Sequence, residues 1–173
     1  HRRVHAAAVV VDHQIAAVVV AGEVDLADMV RLDRVDEGAR RGHRIVGLGP
    51  GEKGANRTGR PFTGDVAGEL LYPALHRFGF ASQPQALGDD QWANPAMELS
   101  NCRITNAVRC LPPANKPTTA EIRQCNGHLK AELAAMPSLK VIVALGAIAH
   151  QALLWAHALK LKEFTFGHNV SHV

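Results

Sequence analysis

Between residues 47 and 65 the chain gathers, in one loop, the side chains that chemistry would need. Six glycines, Gly47, Gly49, Gly51, Gly54, Gly59 and Gly64, let the backbone turn its amides toward a ligand. Arg57 and Arg60 add cationic heads, Phe62 a ring and Asp65 a carboxylate. Such a set reads as a loop that cradles an anion, stacks on a flat ring and offers a countercharge. Gly49, Gly51 and Gly54 also satisfy G-x-G-x-x-G, but a dinucleotide fingerprint must run straight into a helix whose first turn holds the pyrophosphate. The stretch from Ala55 to Pro61 is expected not to start a helix smoothly, so that reading is set aside. The P-loop pattern fails as well, because no Lys-Ser/Thr pair follows Gly54. Farther along stand three cysteines, Cys102, Cys110 and Cys125. Cys102 reads as a buried thiol in a strand, while Cys110, Cys125 and His128 offer zinc-ligand types without a fourth partner.

Such a loop must be held by regular elements, and the hydropathy pattern supplies them. Arg44–Leu48 is a short apolar run ending in the glycine loop, which predicts a strand. Asp65 suits an N-cap, Val66, Leu70, Leu71, Leu75 and Phe78 recur at three- and four-residue steps, and Gly79 marks the stop. These predict an amphipathic, core-facing helix. Cys102–Val108 reads as a second strand through Ile104 and Val108. Thr118 and Glu121 have capping-box spacing ahead of a helix carrying Ile122, Leu129 and Leu133, which Pro137 stops. Lys140–Leu145 is predicted as a buried strand, and Ala147–Leu161 as the helix after it. Repeated strand-then-helix units define the α/β class, here a three-layer arrangement with a central parallel sheet flanked by helices. Ligands in such sheets bind at the carboxyl ends of strands, which points to the loops after Leu48 and Val108. Residues 1–42 differ in composition and are assigned no function. Ala16–Val20 there reads as a strand and Leu26–Leu32 as a weak helix, and the domain proper is expected over 43–173.

The 173 residues, 18.6 kDa, 47% apolar and 20% charged, suit one globular domain. With 19 Lys+Arg against 16 Asp+Glu the net charge is +3, which permits a nucleic-acid partner without demanding one. The longest apolar candidate, Ala6–Val24, is broken by Asp12, His13, Gln14 and Glu23, so a membrane span is excluded. Three cysteines do not make a disulfide scaffold, and a cytoplasmic monomer is expected. Because the chain opens on His1 rather than Met, it is read as an excerpt, and the domain is separately expected to be truncated at the C-terminus.

The run Gly47-Leu-Gly-Pro-Gly-Glu-Lys-Gly-Ala-Asn-Arg-Thr-Gly-Arg-Pro-Phe-Thr-Gly-Asp65, continued by Gly68 and Leu70-Leu71-Tyr72, resembles the first motif of the iron–sulfur uracil-DNA glycosylases. The resemblance extends through Asn101–Cys110, Pro112-Pro113, Asn115-Lys116-Pro117, Cys125 and Leu145-Gly146 to His150, covering residues 43 to 168. Leu48 stands where the family 4 branch carries Glu, which favours family 5 (type B). The resemblance implies a DNA-repair hydrolase that flips uracil, or another deaminated base, out of DNA and breaks its N-glycosidic bond. It implies Asp65 and Asn106 as catalytic residues, with Asp65 positioning water or steadying the sugar cation. Phe62 would stack on the flipped base, Asn106 would read its Watson–Crick edge, and backbone amides near Gly49 and Gly51 would hold the developing oxyanion. Arg57, Arg60 and Lys116, together with Arg103 and Arg109, would contact phosphates.

The family also binds a [4Fe–4S] cluster through an N-terminal Cys-x-x-Cys pair and two later cysteines. Cys110 and Cys125 match the later two, and the pair is absent, so two of four ligands are present. The late His-Pro-Ser element of such enzymes is absent too, the chain closing on His168-Asn-Val-Ser-His-Val173. His150 and His157 read as core or surface histidines of the last helix. Two other readings compete: a truncated, inactive relative with residual DNA binding, and an unrelated α/β nucleotide-binding module relying on the glycine loop.

Overall fold

A computed structural model of the chain describes residues 5–7, 17–22, 42–64, 66–136, 139–167 and 171–172. Asp65, Pro137, His168 and the segment read as a helix over Leu26–Leu32 lie outside them. The strands are β1 (His5–Ala7), β2 (Ala17–Gly22), β3 (Gly42–Gly47), β4 (Cys102–Asn106), β5 (Leu139–Ala144) and β6 (Ser171–His172). They form one sheet in the order β1-β2-β5-β3-β4, with β6 beside β2. β2, β5, β3 and β4 run parallel, whereas β1 and β6 pair with β2 antiparallel. The three expected parallel strands are therefore present in the centre and at one edge, and the segment before residue 42 adds two more strands to the same sheet.

The helices are α1 (Ala55–Thr58), α2 (Val66–Arg77), α3 (Thr119–Ala134) and α4 (Ala147–Ala156). β4 lies on one side of β3 and β5 on the other, so right-handed crossovers carry α2 and α3 to opposite faces of the sheet. In α3 the Thr118 hydroxyl accepts from the Glu121 N–H while the Glu121 carboxylate accepts from the Thr118 N–H, forming the expected capping box. Ile122, Leu129 and Leu133 are its buried residues. Gly79, at φ 79°, closes α2: its N–H bonds to His76 O and the Phe80 N–H to Leu75 O, the paired bonds of a Schellman stop.

Three expectations fail in detail. Val66 is 55% exposed at the start of α2, and the buried face consists of Gly68, Leu71, Tyr72 and Leu75. Periodicity assigned Val66 to the core, but the first turn reaches past the edge of the packed face. The last helix ends at Ala156, well short of Leu161. Ala158 takes φ 57° and the Leu159 N–H bonds to Leu154 O, so a left-handed stop forms there without the glycine that usually announces one. Finally, residues 55–58 do form one helical turn, which Gly59 ends at φ 74°. It stops after four residues, so it does not become the long helix that a dinucleotide fingerprint requires.

The core is continuous from Ile45 and Val46 on β3 through Val141, Ile142, Val143 and Ala144 on β5 to Leu153 and Leu154 on α4, all buried. Arg44 is fully buried in the same strand, although the sequence reads it as the edge of an apolar run. Its Nη2 lies 2.7 Å from Glu132 Oε1 on α3. Arg103 and Arg109 approach the same carboxylate at 3.3 Å and 3.1 Å, and the Thr105 hydroxyl donates to it at 2.9 Å. One carboxylate thus neutralises a buried cation and ties β3 and β4 to α3.

Candidate active site

The register of the two strands builds the centre of the site. Gly47 pairs with Asn106, and beyond the strands the Ala107 N–H bonds to Gly47 O and the Val108 N–H to Leu48 O. The two strand-end loops therefore leave the carboxyl edge of the sheet together. Alternation along β4 sends Arg103 and Thr105 toward Glu132 on α3, and Asn106 to the opposite face.

On that face Phe62 and Asn106 converge over the bare Cα of Gly47. A Cβ added at Gly47 would lie 2.5 Å from Phe62 Cζ and 2.6 Å from Asn106 Oδ1, so only glycine lets ring and amide approach the strand end together. Phe62 has φ 55°, a left-handed conformation that costs a non-glycine residue free energy and must be held by its surroundings. Three contacts hold it. The Tyr72 hydroxyl donates to Pro61 O at 2.7 Å, and burial pushes that phenol up to about 12, so it remains a donor at neutral pH. Gly68, one turn before Tyr72 on α2, lies against the Phe62 carbonyl, where an added Cβ would collide. Thr63 is buried and its hydroxyl donates to Arg60 O at 2.8 Å. In the sequence Gly68 and Tyr72 are motif positions without an evident task. Their four-residue spacing on one helix face was the available signal.

Gly49 and Gly51 lie just beyond. Among the described residues neither of their N–H groups donates to a backbone carbonyl, and the space above Gly51 is open. The Gly51 carbonyl accepts from Gly54 and Asn56, which fixes the turn that presents these amides.

The cations named from the sequence divide by environment. The Arg60 guanidinium donates to the carbonyls of Ala86, Asn94 and Met97 at 3.0, 2.8 and 3.3 Å, clamping the 82–99 loop to the glycine loop. Arg57 is exposed, donates to Gln91 O at 2.8 Å and lies over the Trp92 ring at 5.4 Å. Lys116 is exposed in the Pro-rich loop. Arg103 and Arg109 are engaged with Glu132.

A cavity of about 350 Å³ opens between the 108–117 loop and α3, and Cys110, Cys125, Glu121 and His128 are on its wall. The two cysteines thus face one space. Among the described residues, however, no group of three or more His, Cys, Asp or Glu side chains gathers closely enough to hold a metal. The zinc set of Cys110, Cys125 and His128 therefore does not form. Cys102 is a neutral thiol, since burial pushes it up to about 12. Burial, followed by the nearby His172, lowers His150 to about 4, which makes it a neutral core histidine.

At the carboxyl edge of the sheet the Phe62 ring and the Asn106 amide thus meet over Gly47, at the start of the loop that carries Gly49 and Gly51. The uracil DNA glycosylase superfamily model matches residues 39–170, and the chain belongs to that superfamily. It is 46% identical over 129 residues to the type-5 uracil-DNA glycosylase of Thermus thermophilus, covering 74% of this chain and 56% of that protein. Identity to the type-5 uracil-DNA glycosylase of Mycobacterium tuberculosis is 44% over 128 residues, covering 73% and 46% of the two chains. A type-4 uracil-DNA glycosylase of Pyrobaculum aerophilum is 33% identical over 114 residues, covering 65% and 48%. The greater likeness to the type-5 proteins agrees with Leu48. The chain spans about half the length of the curated relatives it matches. No helix among the described residues is long and apolar enough to cross a membrane.

Proposed function

We propose that the chain carries the base pocket of a DNA glycosylase that flips uracil out of DNA and hydrolyses its N-glycosidic bond. The meeting of the Phe62 ring and the Asn106 amide over Gly47 supports this most directly. A flipped pyrimidine has a flat face and an edge of alternating donors and acceptors, to which a ring and an amide are complementary. When the C–N bond breaks, the base leaves with negative charge and the sugar becomes cationic. The Gly49 and Gly51 N–H groups suit the first charge. The Asp65 carboxylate steadies the second or orients the water that adds to it. Lys116 and Arg57 serve the phosphates, while Arg60 serves the loop. Cys110 and Cys125 would be half the ligand set of an iron–sulfur cluster, whose Cys-x-x-Cys pair this sequence does not contain, and no step of the reaction runs through it. A cytoplasmic monomer acting on DNA with uracil or another deaminated base completes the reading.

Asn106→Ala tests it. An amide that reads the base edge selects substrate, so its loss should reduce the preference for uracil over thymine in matched oligonucleotides about tenfold or more. A variant that keeps the wild-type preference would remove Asn106 from base recognition, and the pocket assignment with it.

A further inference from the structure

Trp92 is 53% exposed, an unusual position for the largest apolar side chain in a domain with an ample core. Its turn is nevertheless held firmly. The Gly88 N–H bonds to Trp92 O and the Gln91 N–H to Gly88 O, the Trp92 N–H donates to Asp90 Oδ1 at 3.0 Å, and Leu87 and Ala93 form a bridge. Arg57 joins this turn to the glycine loop, donating to Gln91 O while its guanidinium lies 5.4 Å from the centre of the Trp92 ring. Arg60 adds three bonds from the Phe62 segment to the same 82–99 loop. The ring is thus fixed relative to the Gly47 pocket by two arginine tethers while much of it stays in solvent.

We propose that Trp92 is a stacking platform for a nucleobase that flanks the one held over Gly47, in a single-stranded or locally opened stretch of DNA. The inference rests on the reading of that pocket as a base site. A braced aromatic face loses little conformational freedom on binding, and stacking accepts any base because every base has a π-face. Asp89 and Asp90 are exposed in the same turn and repel phosphates, so Trp92 meets base faces rather than the backbone. Arg57, besides serving the phosphates, thereby orients the ring.

The chain has two tryptophans, so Trp155→Phe leaves Trp92 as the sole reporter. Titrating that variant with single-stranded DNA carrying a central abasic-site analogue should quench its emission in a saturable way. Trp92→Ala should weaken binding of this oligonucleotide about tenfold, Trp92→Phe should restore most of the loss, and the dependence of log K on log salt should stay unchanged. Unchanged melting of Trp92→Ala verifies that the fold is kept. Wild-type affinity in Trp92→Ala, with DNA bound by both proteins, overturns the stacking role and leaves the pocket reading intact. A salt slope lowered by about one unit assigns the residue to phosphate contact instead and also overturns it. Saturated DNA binding without quenching overturns it as well. If the wild-type chain binds neither abasic DNA nor free uracil, the pocket reading fails and the inference falls with it.

Discussion

Replacing Asp65 by Ala is expected to cut single-turnover uracil release by the natural full-length protein about a thousandfold, with abasic-DNA affinity changed less than about threefold. The carboxylate is assigned to the sugar cation or the attacking water, both of which exist only around the transition state, so ground-state binding should hardly register its loss. Gly64 takes φ 68° and an added Cβ there would lie 2.7 Å from Lys53 O, so the turn before Asp65 is pressed against the glycine loop. Val66 then begins α2. The same position suits a helix cap, and the two roles separate experimentally. A cap alone contributes about 1 kcal/mol to stability and would lower catalysis and abasic-DNA binding together.

Glu132→Ala should cost about 3–5 kcal/mol of folding stability, because it strands a fully buried guanidinium without its countercharge. Burial lowers the affinity of Arg44 for its proton, and Glu132 is the group that opposes this. Burial alone would raise the Glu132 carboxyl, but the Thr105 hydroxyl and the Arg44 and Arg109 guanidinium groups outweigh it and hold the carboxyl below its ordinary range. The folded-state value is therefore the lower one. The stabilisation is complete above about pH 4.3, the unfolded value, and is lost as pH falls through the folded one. Urea unfolding at neutral pH and near pH 3 should show a large gap between wild type and Glu132→Ala at the first and a smaller gap at the second. A loss under about 1 kcal/mol at neutral pH would mean that Arg44 is satisfied by other groups.

The frame of the domain was legible because local signals and tertiary structure agree. The three strands read from apolar runs at 44–48, 102–108 and 140–145 occur as Gly42–Gly47, Cys102–Asn106 and Leu139–Ala144, and the Thr118–Glu121 box and the Gly79 stop form as expected. Less legible were features whose partner is remote in sequence. Nothing near Arg44 announces a carboxylate from α3, and nothing near Arg60 announces three carbonyls from the 82–99 loop. Glycines showed a similar divide. Gly47 and Gly68 look like loop or helix glycines in sequence, yet each is required by what approaches it: the Phe62 ring and Asn106 amide at one, the Phe62 carbonyl at the other. The glycosylase motif marked these positions, and only the packing explains them.

Because Gly47 is the floor on which ring and amide meet, a single methyl group placed there tests the pocket most directly. Gly47→Ala would bring a Cβ within 2.5 Å of Phe62 Cζ and 2.6 Å of Asn106 Oδ1, displacing both groups from the space assigned to uracil. Single-turnover uracil release by the natural full-length protein should fall about a hundredfold, since misplacement by an ångström carries a penalty of that order. Affinity for abasic DNA, which has no base to seat, should stay near wild type. Undiminished uracil release from a folded Gly47→Ala protein would contradict the account, because the base could not then be held where Phe62 and Asn106 converge.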